Sequence, residues 1–150
     1  MVSLVGNKVW GIVNSVKDLL KAEVKEDGLL ENINEVYVGG RVKSPVRPPR
    51  LHIFLGNINN THQYAAHIQI KTLELIIVAV VNGTPEEAIP TAINYIDAVE
   101  KIILKTRHLN LDFVHDVITT GVYPESDELD KPNTYAAAVA FQVRFEDKVY

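Results

Sequence analysis

The chain has 150 residues, a formal net charge of -4, 47% hydrophobic and 23% charged residues, and no cysteine. That size suits one domain, residues 1–150, burying roughly 70% of its unfolded surface without covalent staples. The lack of cysteine excludes disulfides, thiolate metal sites and cysteine nucleophiles, and a pI near 5.7 argues against a nucleic-acid-binding protein.

The most apolar run, LELIIVAVV at 73–81, is too short to span a bilayer. The opening MVSLVGNKVW shows no basic region leading into an unbroken apolar stretch, so no signal peptide is expected. These readings point to a cytosolic protein.

Residues 4–22 predict an amphipathic helix, because Val5, Val9, Ile12, Val13, Val16, Leu19 and Leu20 recur at steps of three and four. Asp27-Gly28 marks a turn. EVYVGG at 35–40 reads as a brief strand ended by glycines. RVKSPVRPPR at 41–50 then carries four basic residues, three prolines and no acid, which predicts a stiff extended loop.

LHIFL at 51–55 alternates as a strand, and NINNTHQ at 57–63 reads as a loop. Residues 66–81, AHIQIKTLELIIVAVV, favour strand throughout. At about 3.3 Å per residue they would reach roughly 50 Å. A compact domain of this length is only about 40 Å across. Apolar residues occupy even positions at Ile68 and Ile70 but odd ones from Leu73 onward, which calls for a bulge or bend near Thr72. A projecting hairpin arm, 51–55 with 66–71, and a buried root, 75–81, are therefore expected.

Thr84-Pro85-Glu86-Glu87 has the form of a helix start, with Thr84 as cap. The apolar stripe Ile89, Ala92, Ile93, Ile96, Val99 and Ile103 carries the helix to about residue 106, with Pro90 as an interior blemish. FVHDVIT at 113–119 reads as a strand and GVYPESDELDKPN at 121–133 as an acidic loop. YAAAVAFQVRF at 135–145 closes the chain of elements, with a large odd face and small residues at Ala136, Ala138 and Ala140. The order α-β-β-β-α-β-β predicts an α+β fold. Two amphipathic helices pack on a largely antiparallel mixed sheet, from which a long β-hairpin projects.

Chemistry-bearing patterns are few. His52, His62, His67, His108 and His115 never show the i, i+4 spacing of a helical metal pair. His52 could face His67 across the hairpin, yet no converging carboxylates accompany them, and no metal is expected. His115 and Asp116, adjacent in a straight strand, would point to opposite faces. No serine lies in a nucleophile elbow, and no glycine pattern forms a phosphate loop. Neither an enzyme nor a cofactor is expected.

What remains is charge. Arg41, Lys43, Arg47 and Arg50 form one basic patch, and Glu125, Asp127, Glu128 and Asp130 an acidic one. If the two lie on different sides of the domain, copies could join head to tail. Solvation or intramolecular pairing accounts for the same charges without a partner.

Taken in order, the helix 4–22, the strand ending in VYVGG, SPVRPPRLHIFLG, HIQIKTLELIIVAVV, the capped helix from TPEEA to KIILK, GVYPES and YAAAVAFQVRF resemble the tail terminator and tail-completion proteins of long-tailed bacteriophages and proviruses. The resemblance is one of order and pattern across nearly the whole chain, and no single residue is diagnostic. It implies a virion protein that forms a ring of about six copies, capping the tail tube and facing the head side.

Under that resemblance the partners are other copies of the chain and tail-tube or neck proteins, not a membrane and not a specific nucleic-acid sequence. The place of assembly would be the host cytoplasm. The arm residues Asn57, Asn60, Gln69 and Lys71, with the basic and acidic patches, become candidate contacts. The alternative is a small monomeric adaptor whose 41–50 loop holds an acidic partner.

Overall fold

A computed structural model describes residues 4–40, 46–65, 67–124, 129 and 131–148, with the backbone alone at 61–65 and 107. Helix α1 spans Val5–Ala22, and β1 is the short strand Val36–Val38. Strands β2 (Arg50–Ala65) and β3 (Ile68–Asn82) form a long hairpin. Helix α2 (Pro85–Lys105) follows, and a 3-10 turn at Arg107–Asn110 leads to β4 (Val114–Pro124) and β5 (Thr134–Lys148). The sheet order is β1-β2-β3-β5-β4; only β1 with β2 is parallel. This is the expected α+β architecture. Among the described residues no helix is long and apolar enough to cross a membrane.

Both helices lie on one face of the sheet. The helical stripes Val9, Ile12, Val13, Val16 and Leu20 of α1, and Ala88, Ala92, Ile96, Val99 and Ile103 of α2, meet the odd positions of β3 and β5. Those positions are Leu73, Leu75, Ile77, Ala79 and Val81, and Tyr135, Ala137, Val139, Phe141, Val143 and Phe145. They coincide because β3 and β5 pair without a break from Ile68↔Lys148 to Asn82↔Thr134, so the large faces of both strands point the same way. Ala136, Ala138 and Ala140 belong to the other face, so the helices pack on the bulky side and not on the small one.

Pro90 sits inside α2 without ending it. The helix gives up one backbone bond there, at a position where the chain is exposed. Thr84 occupies the cap position in extended backbone, but its side chain makes no cap bond; its carbonyl accepts from Glu87 and Ala88.

The connection from α2 to β4 is strained. His108, Leu109 and Asn110 all have positive φ (58°, 52° and 59°), a conformation that costs an L-residue roughly 1–2 kcal/mol. Burial of the Leu109 side chain, worth about 1.5–3 kcal/mol, offsets part of this. The Ser15 hydroxyl of α1 also donates to the Leu109 carbonyl, which locks the turn against the first helix. At Gly28, an added Cβ would lie 2.2 Å from the Glu23 carbonyl oxygen, so only glycine fits the Asp27-Gly28 turn.

Three expectations about the hairpin are corrected. Residues 57–63 are strand, not loop. Residues 51–55 pair with 75–79, not with 66–71; the register runs from Leu51↔Ala79 to Leu55↔Leu75. Strand β3 is not bulged near Thr72: its pairing with β5 is unbroken, and the irregularities fall on β2, at Leu55/Ile58, Asn60/His62 and Gln63/Ala65. Extra residues in β2 absorb the mismatch. Residues 121–124, expected in the acidic loop, continue β4.

Candidate functional site

The long strands separate two sets of candidate residues. At one end lies the arm. Asn57 sits in the first β2 bulge, Asn60 pairs with Lys71, and the Lys71 ammonium donates to Asn60 Oδ1 at 2.6 Å. Gln69 stands opposite Gln63. Asn57 and Asn60 are exposed, while Gln69 and Lys71 are half-buried.

The arm is not a bare hairpin, because β5 runs beside β3 as far as Ile68↔Lys148. Lys8 of α1 fastens this brace: its ammonium donates to the Glu146 carbonyl at 2.9 Å, lies 3.7 Å from Asp147 and sits over the Phe113 ring. The sheet edge is completed by a bidentate pair in which the Arg144 guanidinium donates to both Asp116 carboxylate oxygens.

At the other end lie the loops. Residues 46–49 are held by several hydrogen bonds: the Val46 amide donates to the Tyr37 hydroxyl, Asn34 Nδ2 to the Arg47 carbonyl, and the Asn34 amide to the Pro49 carbonyl. Arg50 donates through Nη1 to the Val46 carbonyl and through Nε to His52 Nε2. Since Nε2 accepts, His52 carries its proton on Nδ1, which donates to the Gly39 carbonyl at 2.9 Å. His52 is thus a satisfied, buried strand residue. Across the hairpin it meets Val78, not His67, and it stacks between Tyr37 and Phe54.

Arg47, Arg50, Gly83, Lys131 and Thr134 line one cleft of about 690 Å³. Arg47 and Lys131 make no ion pair with a described residue. The placement bears on the condition for head-to-tail contact. Lys131 and the Leu129 amide, which donates to the Thr134 carbonyl, belong to the connection that carries the acidic patch. The described flanks of the basic and acidic stretches therefore share one end of the sheet instead of facing opposite sides of the molecule. Arg41, Lys43, Glu125, Asp127, Glu128 and Asp130 themselves lie outside the described residues.

The pairing of His115 and Asp116 also departs from expectation. A register shift between Val114 and Asp116 places His115 in a bulge, and both residues line a second cleft of about 370 Å³ with His108 and Leu104. Asp116 is engaged by Arg144 and His115 lies 3.6 Å from Glu146, so neither is poised for acid–base work. Among the described residues no three metal-ligating side chains converge.

Two features escaped the sequence reading. The first is the sheet face opposite the helices, where the register places Phe54, Ile76, Val78, Ala138 and Ile118, all half-buried or exposed. The second is the polarity of the two sheet edges. Between Phe54 and Ala65, β2 contains no Asp, Glu, Lys or Arg, a signal present in the sequence itself.

No family model and no curated protein matches the chain. Among solved structures, it is similar to a chain of the virion of a native gene transfer agent (GTA) particle. The TM-score is 0.60 and the identity 13%, over 87% of this chain and 91% of that one. The likeness is one of fold.

Proposed function

We propose that this chain is a structural virion protein: a subunit of a closed ring that caps or completes a phage-like tail and joins it to the head side. The observation that carries the reading is the fold likeness to a virion-particle chain, which spans almost the full length of both. It supports the virion part of the reading, while the tail-terminator part rests on the order and pattern of the elements. The ring holds about six copies, as that resemblance implies. It assembles in the host cytoplasm and meets tail-tube or neck proteins through the arm or the loop end.

The role asks for geometry and not catalysis. A sheet with a stiff three-stranded extension at one end and charged loops at the other can touch different neighbours with each. Negative-stain imaging of the purified chain tests the reading: toroidal particles of uniform diameter are expected, and featureless monomeric particles at every concentration would contradict it.

A second reading rests on the cleft. Arg47 and Lys131, together with Arg41 and Lys43 from the same basic patch, would hold an acidic segment of another protein, with the chain acting as a monomeric adaptor. Fluorescence anisotropy with an oligoglutamate peptide tests it. Salt-sensitive binding that is lost in the Arg47→Glu/Lys131→Glu double variant is the expected result, and binding unaffected by that double variant would end it.

A further inference from the structure

The sheet ends in two unlike edges. On one side β1 pairs only with Leu51, His52 and Ile53 of β2, and Gly40 lies against the Phe54 ring, leaving residues 55–65 with no described strand on their outer side. On the other side β4 is the last strand, and no described strand pairs with its outer edge. An uncovered strand presents a row of backbone donors and acceptors to any other strand, and stable monomers blunt it with charged side chains, lysine above all.

Neither edge carries that protection. The uncovered part of β2, LGNINNTHQYA, has no formally charged residue, and β4, VHDVITTGVYP, has only Asp116, which Arg144 neutralises. Large apolar side chains stand exposed on both: Leu55 and Ile58 on β2, and Ile118, Val122 and Tyr123 on β4. Bulges interrupt each edge but leave regular stretches at 58–60 and 116–119. Short regular stretches between bulges suit a ladder of fixed length and register, whereas long flat edges invite open-ended stacking.

From these observations we infer that the β2 edge of one copy, centred on Ile58–Asn60, pairs with the β4 edge of the next, centred on Asp116–Thr119, extending the sheet from subunit to subunit. The occupant of each edge is a second copy of this chain. The pairing of unlike edges rests on the ring reading, because a contact between different surfaces propagates head to tail and closes into a ring when the rotation allows. Pairing of like edges would stop at a two-fold dimer. Main-chain hydrogen bonds supply the affinity, and Ile58 and Ile118 supply apolar contact beside the ladder.

The test uses two full-length variants, Ile58→Lys and Ile118→Lys. Both positions are exposed, so each variant should keep its circular dichroism spectrum and melting temperature. If either misfolds, Asn59→Lys and Thr120→Lys replace them. Each variant alone is expected to be monomeric by sedimentation velocity, since one of its two edges is blocked.

Mixed in equal amounts they are expected to form a one-to-one dimer, which joins the intact β4 edge of the first to the intact β2 edge of the second. Variants that still assemble as the unaltered chain does would overturn the inference and leave the ring reading standing. A variant that dimerises by itself would show like-edge pairing and also overturn it. An unaltered chain that is monomeric throughout would end the ring reading, and the inference with it.

Discussion

Lys148 of β5 pairs with Ile68 of β3, so the last strand braces the arm to within three residues of the last described residue of β2, Ala65. The arm is consequently a three-stranded extension of the sheet. Stiffness follows, since an isolated two-stranded hairpin is only marginally stable in water and a third strand anchored by Lys8 removes that weakness. A chain lacking the residues after Phe145 should therefore keep its core but loosen its arm. Hydrogen exchange at residues 68–70, which pair with the removed 146–148, is expected to speed up at least about tenfold, with the amides of 75–81 unchanged.

The core beneath α2 is centred on Phe141, which is fully buried opposite Leu75 and Thr119. Phe141→Ala removes a ring from a close-packed layer between helices and sheet. The expected loss is about 3–5 kcal/mol, read from the urea midpoint at constant slope.

Gly28→Ala tests the turn after α1. The new methyl would collide with the Glu23 carbonyl, and that carbonyl already accepts from the Leu30 amide, which fixes it in place. A loss of about 1–3 kcal/mol is expected by the same denaturation measurement, although the change is the smallest possible in side-chain volume.

Glu35 gives a pH dependence of known sign. The Val36 backbone amide donates to its carboxylate at 2.9 Å, and Lys21 adds a bond and a favourable charge; together they hold its pKa below the ordinary value of 4.5. A carboxyl depressed in the folded state contributes stability that is present above its unfolded pKa and fades as pH falls through the folded one. The group is partly exposed, so the contribution is at most about 1 kcal/mol. Glu35→Gln should reduce the loss of stability between about pH 5 and pH 3, measured by urea unfolding at each pH.

Both helices, the α+β class and the order of elements were legible in the sequence, because a three-and-four apolar stripe or an alternating strand records which face is buried. The arm was half legible. Its excess length could be read from the run 66–81, but NINNTHQ looked like a loop because asparagine is rare in strands. The corrective signal is that no glycine or proline occurs between Asn57 and Asn82, so nothing in that span breaks a long hairpin.

Gly121 and Pro124 misled in the opposite direction. An edge strand tolerates a glycine at a bulge and a proline at its end, and here pairing with β5 from Gly121↔Ala140 to Pro124↔Ala137, not local propensity, carries the strand on. The site was less legible still. Charge composition located the basic and acidic stretches, yet only the strand register shows that Arg47 and Lys131 share a cleft, because they are far apart in the chain and meet through the pairing of β2 with β3 and of β3 with β5.

The most direct test of the ring is the mass of the purified chain by light scattering after size exclusion, over a wide concentration range and with and without magnesium. The account predicts one closed species of about six subunits whose mass does not grow further as concentration rises. A mass that stays at 16.7 kDa throughout, or one that climbs without limit, would contradict it.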